Sequence, residues 1–263
     1  MLEIVGYIGA IIIGLVLGLI GGGGSILTVP VFVYILGIEP VLATAYSLFV
    51  VGSTALVGAV QNAKKGLVDF KTGIIFSIPA FTSVFLTRKF LVPAIPDQLF
   101  EIGDFTVSKN IGIMIFFALI MIIAAYFMIK GRQQNDESDE ETSYNYPLII
   151  IEGLVVGLLT GIVGAGGGFL IIPALVLLAK LSMKKAVATS LLIIAIKSLI
   201  GFLGDLENNE IDWLFLLLFT GLSILGIFLG IYLSQFIDGK KLKKSFGWFV
   251  LIMGLYIVLK EIL

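Results

Sequence analysis

Residues 213–236 contain no Asp, Glu, Lys or Arg, and the same holds for residues 6–20, 72–86, 111–129 and 246–259. A helix needs about 20 apolar residues to cross the hydrocarbon core of a bilayer, and with their flanks these runs approach that length. Several membrane spans must therefore coexist in one chain. Charged residues make up only 13% of the sequence, against about one quarter in a soluble domain, which leaves no room for an ordinary water-soluble globule. The chain is read as an all-α polytopic membrane protein.

No basic segment precedes the first apolar run and no small-residue cleavage site ends it, so that run is read as a retained membrane segment. The chain has no Cys and no His. Disulfides, thiolate nucleophiles, histidine-ligated haem and zinc sites built on Cys or His are thereby excluded, and no cofactor, metal or catalytic residue is expected.

Polar punctuation divides the apolar runs into ten expected helices, near residues 2–20, 25–36, 41–62, 72–92 and 109–130, then 146–163, 169–181, 184–203, 212–236 and 243–262. Between the two groups lies the acidic segment GRQQNDESDEETSYN, too polar for anything but a solvated linker. The expected organisation is a membrane repeat over residues 1–131, a cytoplasmic linker over 132–145 and a second repeat over 146–263.

A shift of 143 positions superposes the two groups. Residues 14–69 align without a gap on residues 157–212, with 16 identities in 56 pairs. Among the identical pairs are Gly21/Gly164, Gly23/Gly166, Gly24/Gly167, Pro30/Pro173, Ser47/Ser190 and Asp69/Asp212. A shared greasy composition does not align Gly, Pro, Ser and Asp, so an internal duplication is the better explanation.

Orientation follows from the basic residues. If each segment changes side, the loops after odd-numbered helices collect twelve Lys and Arg, the other side collects Arg88, Lys89, Lys109 and Lys260, and Lys197 lies inside a helix. The positive-inside rule makes the first side cytoplasmic and turns both termini outward. Paired re-entrant hairpins in place of full crossings at the first two helices of each half leave that parity unchanged. Each half then crosses an odd number of times, and the repeat is inverted. In such folds the substrate sits near the midplane, where the halves meet.

The strongest local motif is the pair of glycine clusters, Gly21, Gly22, Gly23, Gly24 and Ser25 in the first half and Gly164, Ala165, Gly166, Gly167 and Gly168 in the second. The segments that follow are too short to cross a bilayer and are expected to be half-helices. A half-helix start presents unpaired backbone N–H groups and a positive dipole end, and glycine lets an anion approach without a Cβ in the way. The competing role is close packing of helices through glycine. Neither cluster fits a phosphate-binding loop or a dinucleotide fingerprint, so no nucleotide is implied.

Ser47, Thr189 and Ser190, early in the next helix of each half, either donate to an oxyanion or bond back into their own helices. Lys197 stands deep in an apolar helix, where an ionisable group marks a functional site unless it snorkels or meets an acid. Its counterpart 143 positions earlier is Thr54. A symmetric scaffold binding an asymmetric ligand is expected to use such unmatched positions. Asp69 and Asp212 are read as caps of the helices they precede, with gating as the other role, Arg88–Lys89 as an interfacial anchor, and Glu152 as an interfacial acid, with proton coupling as its alternative.

On the duplicated Gly-rich segment with its proline, the A-x-A-x-S-L echo and the G-x-V-D-F turn, the chain resembles the TauE/SafE family of sulfite and organosulfonate exporters. The resemblance covers nearly the whole chain. It implies a multi-pass carrier of the bacterial inner membrane for small sulfur-containing anions, with Asn209 replacing glycine in the second turn as a departure. The implied partners are a small anionic substrate and membrane lipid, with no nucleic acid, and assembly into a homo-oligomer is left open. An inside-negative potential favours outward movement of a monoanion by about 2.3 kcal/mol per 100 mV, which suits export without excluding coupled uptake. A membrane enzyme lacks its acid, base or nucleophile cluster here, and a non-transporting scaffold has no need of two broken helices.

Overall fold

The computed structural model describes residues 2–262 apart from residues 23, 103–104, 131–145, 165, 178, 180, 208, 235 and 237–238. Gly23 and the acidic linker therefore lie outside the described residues.

Counting each π-turn with the helix it extends, the first half holds α1 (Leu2–Ile20), α2 (Ser25–Pro30, continued by Val31–Ile35), α3 (Pro40–Lys64), α4 (Phe70–Leu86, continued through Thr87–Leu91 and Val92–Ala94) and α5 (Lys109–Lys130). The second holds α6 (Tyr146–Val163), α7 (Gly168–Leu177), α8 (Met183–Leu203), α9 (Trp213–Leu233) and α10 (Gly239–Ile262). An antiparallel hairpin, β1 (Gln98–Ile102) with β2 (Phe105–Ser108), joins α4 to α5. That hairpin was not expected from the sequence.

Among the described residues five helices, Pro40–Lys64, Phe70–Ala94, Lys109–Lys130, Met183–Leu203 and Trp213–Leu233, are long and apolar enough to cross a membrane. Their outward faces are apolar: α9 alone exposes Leu214, Leu217, Leu218, Leu225 and Leu229. On a water-soluble protein a patch of that size is an interaction site, and here it suits acyl chains. The protein is an all-α, multi-pass membrane protein.

Local chemistry sets the boundaries. α1 stops at Gly21, whose φ of +77° is the left-handed region glycine tolerates. α2 carries Pro30, which has no N–H to give its helix, and the chain widens directly afterwards into the π-turn closed by Leu36 N–H on Val31 O at 3.1 Å. α3 opens on Pro40 in its first turn and ends near Gly66 at φ +69°. Asp69 Oδ1 accepts from Thr72 N–H at 2.9 Å and Asp212 Oδ1 from Phe215 N–H at 3.1 Å, so both aspartates cap their helices.

The principal helix pairings run between the halves. α1 lies along α9 with residue numbers rising together, Gly14 over Ser223 and Gly18 over Gly230 and Ile231. α6 lies along α4 in the same sense, Gly153 over Pro79, Gly157 over Ala80 and Gly161 over Thr87. α3 crosses α8 antiparallel, Gly58 touching Leu191, Gly52 touching Leu199 and Gly201 touching Leu48. α10 meets α5 antiparallel as well, with Gly247 at Ile129 and Gly254 at Ile122. Small residues let these backbones approach, as expected of helices that cannot gain hydrophobic energy against lipid. Exchanging the halves turns the α1/α9 pair into the α6/α4 pair and returns α3/α8 and α5/α10 to themselves.

Candidate functional site

The two glycine breaks meet at the centre of the molecule. A Cβ added to Gly168 would stand 2.2 Å from Gly22 Cα, and one added to Gly22 would stand 2.4 Å from Gly168. The two chains thus cross backbone on backbone. Around that crossing stand α3 and α8, the helices that follow each break. Gly164, at φ +68°, rests on Thr44, and Gly166 rests on Val51, both of α3. Gly21 rests on Val187 of α8.

Most hydroxyls expected to bind substrate have partners within the protein. Ser25 Oγ donates to Gly22 O at 2.8 Å, tying the first turn of α2 to its own break. Ser190 Oγ donates to Val187 O at 2.8 Å and to Gly21 O at 3.3 Å. Thr54 Oγ1 donates to Ser223 Oγ at 3.1 Å, joining α3 to α9. Thr189 Oγ1 accepts from Asp69 N–H at 2.9 Å, and at the corresponding place in the other half Tyr46 OH accepts from Asp212 N–H at 2.8 Å. The capped loop of each half is pinned in this way to the central helix of the other. Ser47 differs: it is fully buried and its Oγ has no partner among the described residues.

Lys197 is fully buried on α8. Its Nζ donates to Thr160 Oγ1 of α6 at 2.8 Å, and a Cβ on Gly167 would stand 2.9 Å from that nitrogen. Thr160 in turn donates to Val156 O at 2.7 Å, so the hydroxyl oxygen is oriented to accept. Among the described residues no carboxylate pairs with Lys197. A buried cation without a counter-charge is costly, and a ligand anion would relieve that cost. Glu152, on α6, is partly buried and takes no part in this arrangement.

Arg88 corrects the reading of the sequence. It is no interfacial anchor but a fully buried side chain of α4. Its Nε donates to Asp205 Oδ2 at 2.7 Å, and Nη1 donates to Thr44 Oγ1 at 2.9 Å and to Gly161 O at 3.1 Å. Burial pushes the Asp205 carboxyl above the usual carboxylate range, while Arg88 beside it acts in the opposite sense. Lys89 does sit at the surface, 3.2 Å from Glu207. Arg88 and Lys197 thus reach Gly161 and Thr160, neighbouring residues of the helix that leads into the second break. Arg88, Asp205 and Thr160 were missed as site residues. The shift of 143 sets Thr160 against Leu17 and Asp205 against Asn62 inside the gap-free block and would have marked both, whereas Arg88, which would face Ile231, lies beyond the end of the block at residue 69.

Comparison with known proteins agrees with this architecture. The chain is 27% identical over 252 residues to a probable membrane transporter protein of Xylella fastidiosa (strain 9a5c), covering 94% of this chain and 91% of that one. It is 31% identical over 226 residues to the probable membrane transporter protein YunE of Bacillus subtilis (strain 168), covering 79% and 81%. A shorter match, 34% over 116 residues and 42% of this chain, is to the probable membrane transporter protein MJ0441 of Methanocaldococcus jannaschii. No solved structure matches. With two half-helix breaks crossing beside a buried lysine, and a family match that runs from residue 7 to residue 257, the chain belongs to the sulfite exporter TauE/SafE family of membrane transporters.

Proposed function

We propose that this protein is a carrier for small anions that exports sulfite or a small organosulfonate across the cell membrane. The observation that carries the reading is Lys197, a fully buried amine with no carboxylate partner among the described residues, held against a glycine break. Buried charge in a membrane helix bundle marks a substrate or ion path. The family description supplies sulfite as the first substrate to test.

The carrier works by alternating access. Its two halves are inverted copies related by an axis in the membrane plane, a reading supported by the antiparallel crossing of the equivalent helices α3 and α8 and of α5 and α10. Because the principal pairings join the halves, the moving bodies are helix bundles built from both, and their rocking about the crossing of the two breaks exposes the site to each side in turn. In the conformation described here Lys197 is closed off from both sides.

Purified protein in liposomes, loaded with labelled sulfite or ethanesulfonate, tests the reading. Efflux is expected to exceed that of empty liposomes and to fall at least about tenfold in Lys197→Met, the loss of one charge-assisted contact. Efflux no faster than in empty liposomes for every small anion tried would sink the reading, as would a fully active Lys197→Met.

A further inference from the structure

We propose that the anion is held at the second break alone, by Lys197 Nζ and Ser47 Oγ against Gly164, Gly166, Gly167 and Gly168, and that the first break is a structural crossing that contributes no side-chain donor. This rests on the anion-carrier reading and narrows it. The duplicated scaffold provides its own control, because every group at one break has a counterpart 143 positions away at the other.

Ser47 and Ser190 are such a pair, both fully buried. Ser190 donates to Gly21 O and Val187 O, whereas Ser47 has no partner among the described residues. Ser47 lies on the face of α3 that meets the second break, since Thr44 and Val51, three residues before it and four after, touch Gly164 and Gly166. A buried hydroxyl left unpaired is rare in native structures and calls for a ligand or water; Thr72 and Ser198 are unpaired too, but of the three only Ser47 is flanked on both sides by residues that touch the second break. Lys197 and Thr54 are a second pair: Thr54 is satisfied by Ser223, while Lys197 has Thr160 but no counter-charge among the described residues. Thr160 itself faces Leu17.

The backbones differ too. Gly167 has φ +66°, while Gly24 is helical at φ −62° and excludes a side chain only because Ile13 O and Leu17 of α1 are in the way. α7 then runs for 10 residues as a regular α-helix, whereas α2 gives way to a π-turn after 6. The second break therefore keeps both the donors and the helix start that suit an oxyanion.

Charge sets the class of ligand. Two cations are buried near α6, and Asp205 neutralises Arg88. Lys197 is left as the cation without a counter-charge among the described residues, and an anion beside it favours its protonated form. A monoanion with several oxygens, such as a sulfonate or hydrogensulfite, leaves the site neutral, and a dianion leaves it with an unpaired negative charge in a dry interior. The site therefore selects single charge.

The experiment measures ethanesulfonate transport in proteoliposomes, with thermal unfolding in detergent to verify each variant. Ser47→Ala is expected to raise KM about tenfold, Ser47→Thr, which keeps the hydroxyl, to restore it, and Ser190→Ala to move KM less than about twofold while lowering thermal stability. On the unmodified protein, methanesulfonate is expected to compete and sulfate to fail to compete at equal concentration, a measurement independent of any variant. Equal KM effects of Ser47→Ala and Ser190→Ala in a transporting protein, or effective competition by sulfate, would overturn this proposal and leave the carrier reading standing. Absence of all anion transport by the unmodified protein would overturn both.

Discussion

Arg88 spans three elements with one guanidinium: it joins α4 to Asp205 beyond the end of α8, to Thr44 on α3 and to Gly161 on α6. Removing one partner of a buried ion pair costs about 3–5 kcal/mol, because the other charge stays desolvated and unpaired. Asp205→Asn is therefore expected to lower stability by about that amount, measured as unfolding of the purified protein in detergent. The double variant Arg88→Met with Asp205→Leu should recover most of the loss, since two matched apolar side chains strand no charge. A single variant as stable as the parent would show that Asp205 does not neutralise Arg88. Lys197 was legible in the sequence because it stands alone in an apolar run. Arg88 was not, because Lys89 follows it near a helix end and a basic pair there reads as an anchor in the headgroups.

The breaks are elements whose form depends on absent side chains. Gly168→Ala would set a methyl 2.2 Å from Gly22 Cα, backbone that cannot move aside as a flexible side chain can. Loss of transport and of a folded peak on size exclusion is expected. Gly221→Ala, on α9 with nothing within 4 Å of its Cβ, should stabilise its helix by up to about 1 kcal/mol and leave transport unchanged. Should both variants behave alike, the crossing is not the close contact described. The clusters were legible as breaks because runs of glycine end helices at positive φ, as Gly21 and Gly164 do. Their contact with each other was not, since nothing local in either cluster encodes what it meets. The hairpin was missed for another reason: the sequence separates its two runs by Gly-Asp, a two-residue hairpin signal, but runs of four or five residues between long apolar segments read as a loop.

At the scale of the molecule, the membrane class was readable because lipid demands uncharged runs, and 16 identities in one ungapped block are what suggests a duplication. Sidedness is tested directly. The chain has no cysteine, so a single introduced one reports its own side of the membrane. Lys65→Cys, exposed after α3, is expected to react with an impermeant maleimide only from the cytoplasm, and Glu101→Cys, exposed on the hairpin, only from outside. Labelling of both from one side would refute the assigned topology.

Because α1 pairs with α9, α4 with α6, α5 with α10 and α3 with α8, the first half has little to pack against until the second is made. Ribosomes add about 5–20 residues per second, so the first five helices wait in the bilayer for several seconds before their partners emerge. During that wait Thr54 has no Ser223 and Arg88 has no Asp205. The nascent chain must be sheltered by the insertion machinery over this interval, and a message truncated between the halves yields a product destined for proteolysis instead of a smaller transporter.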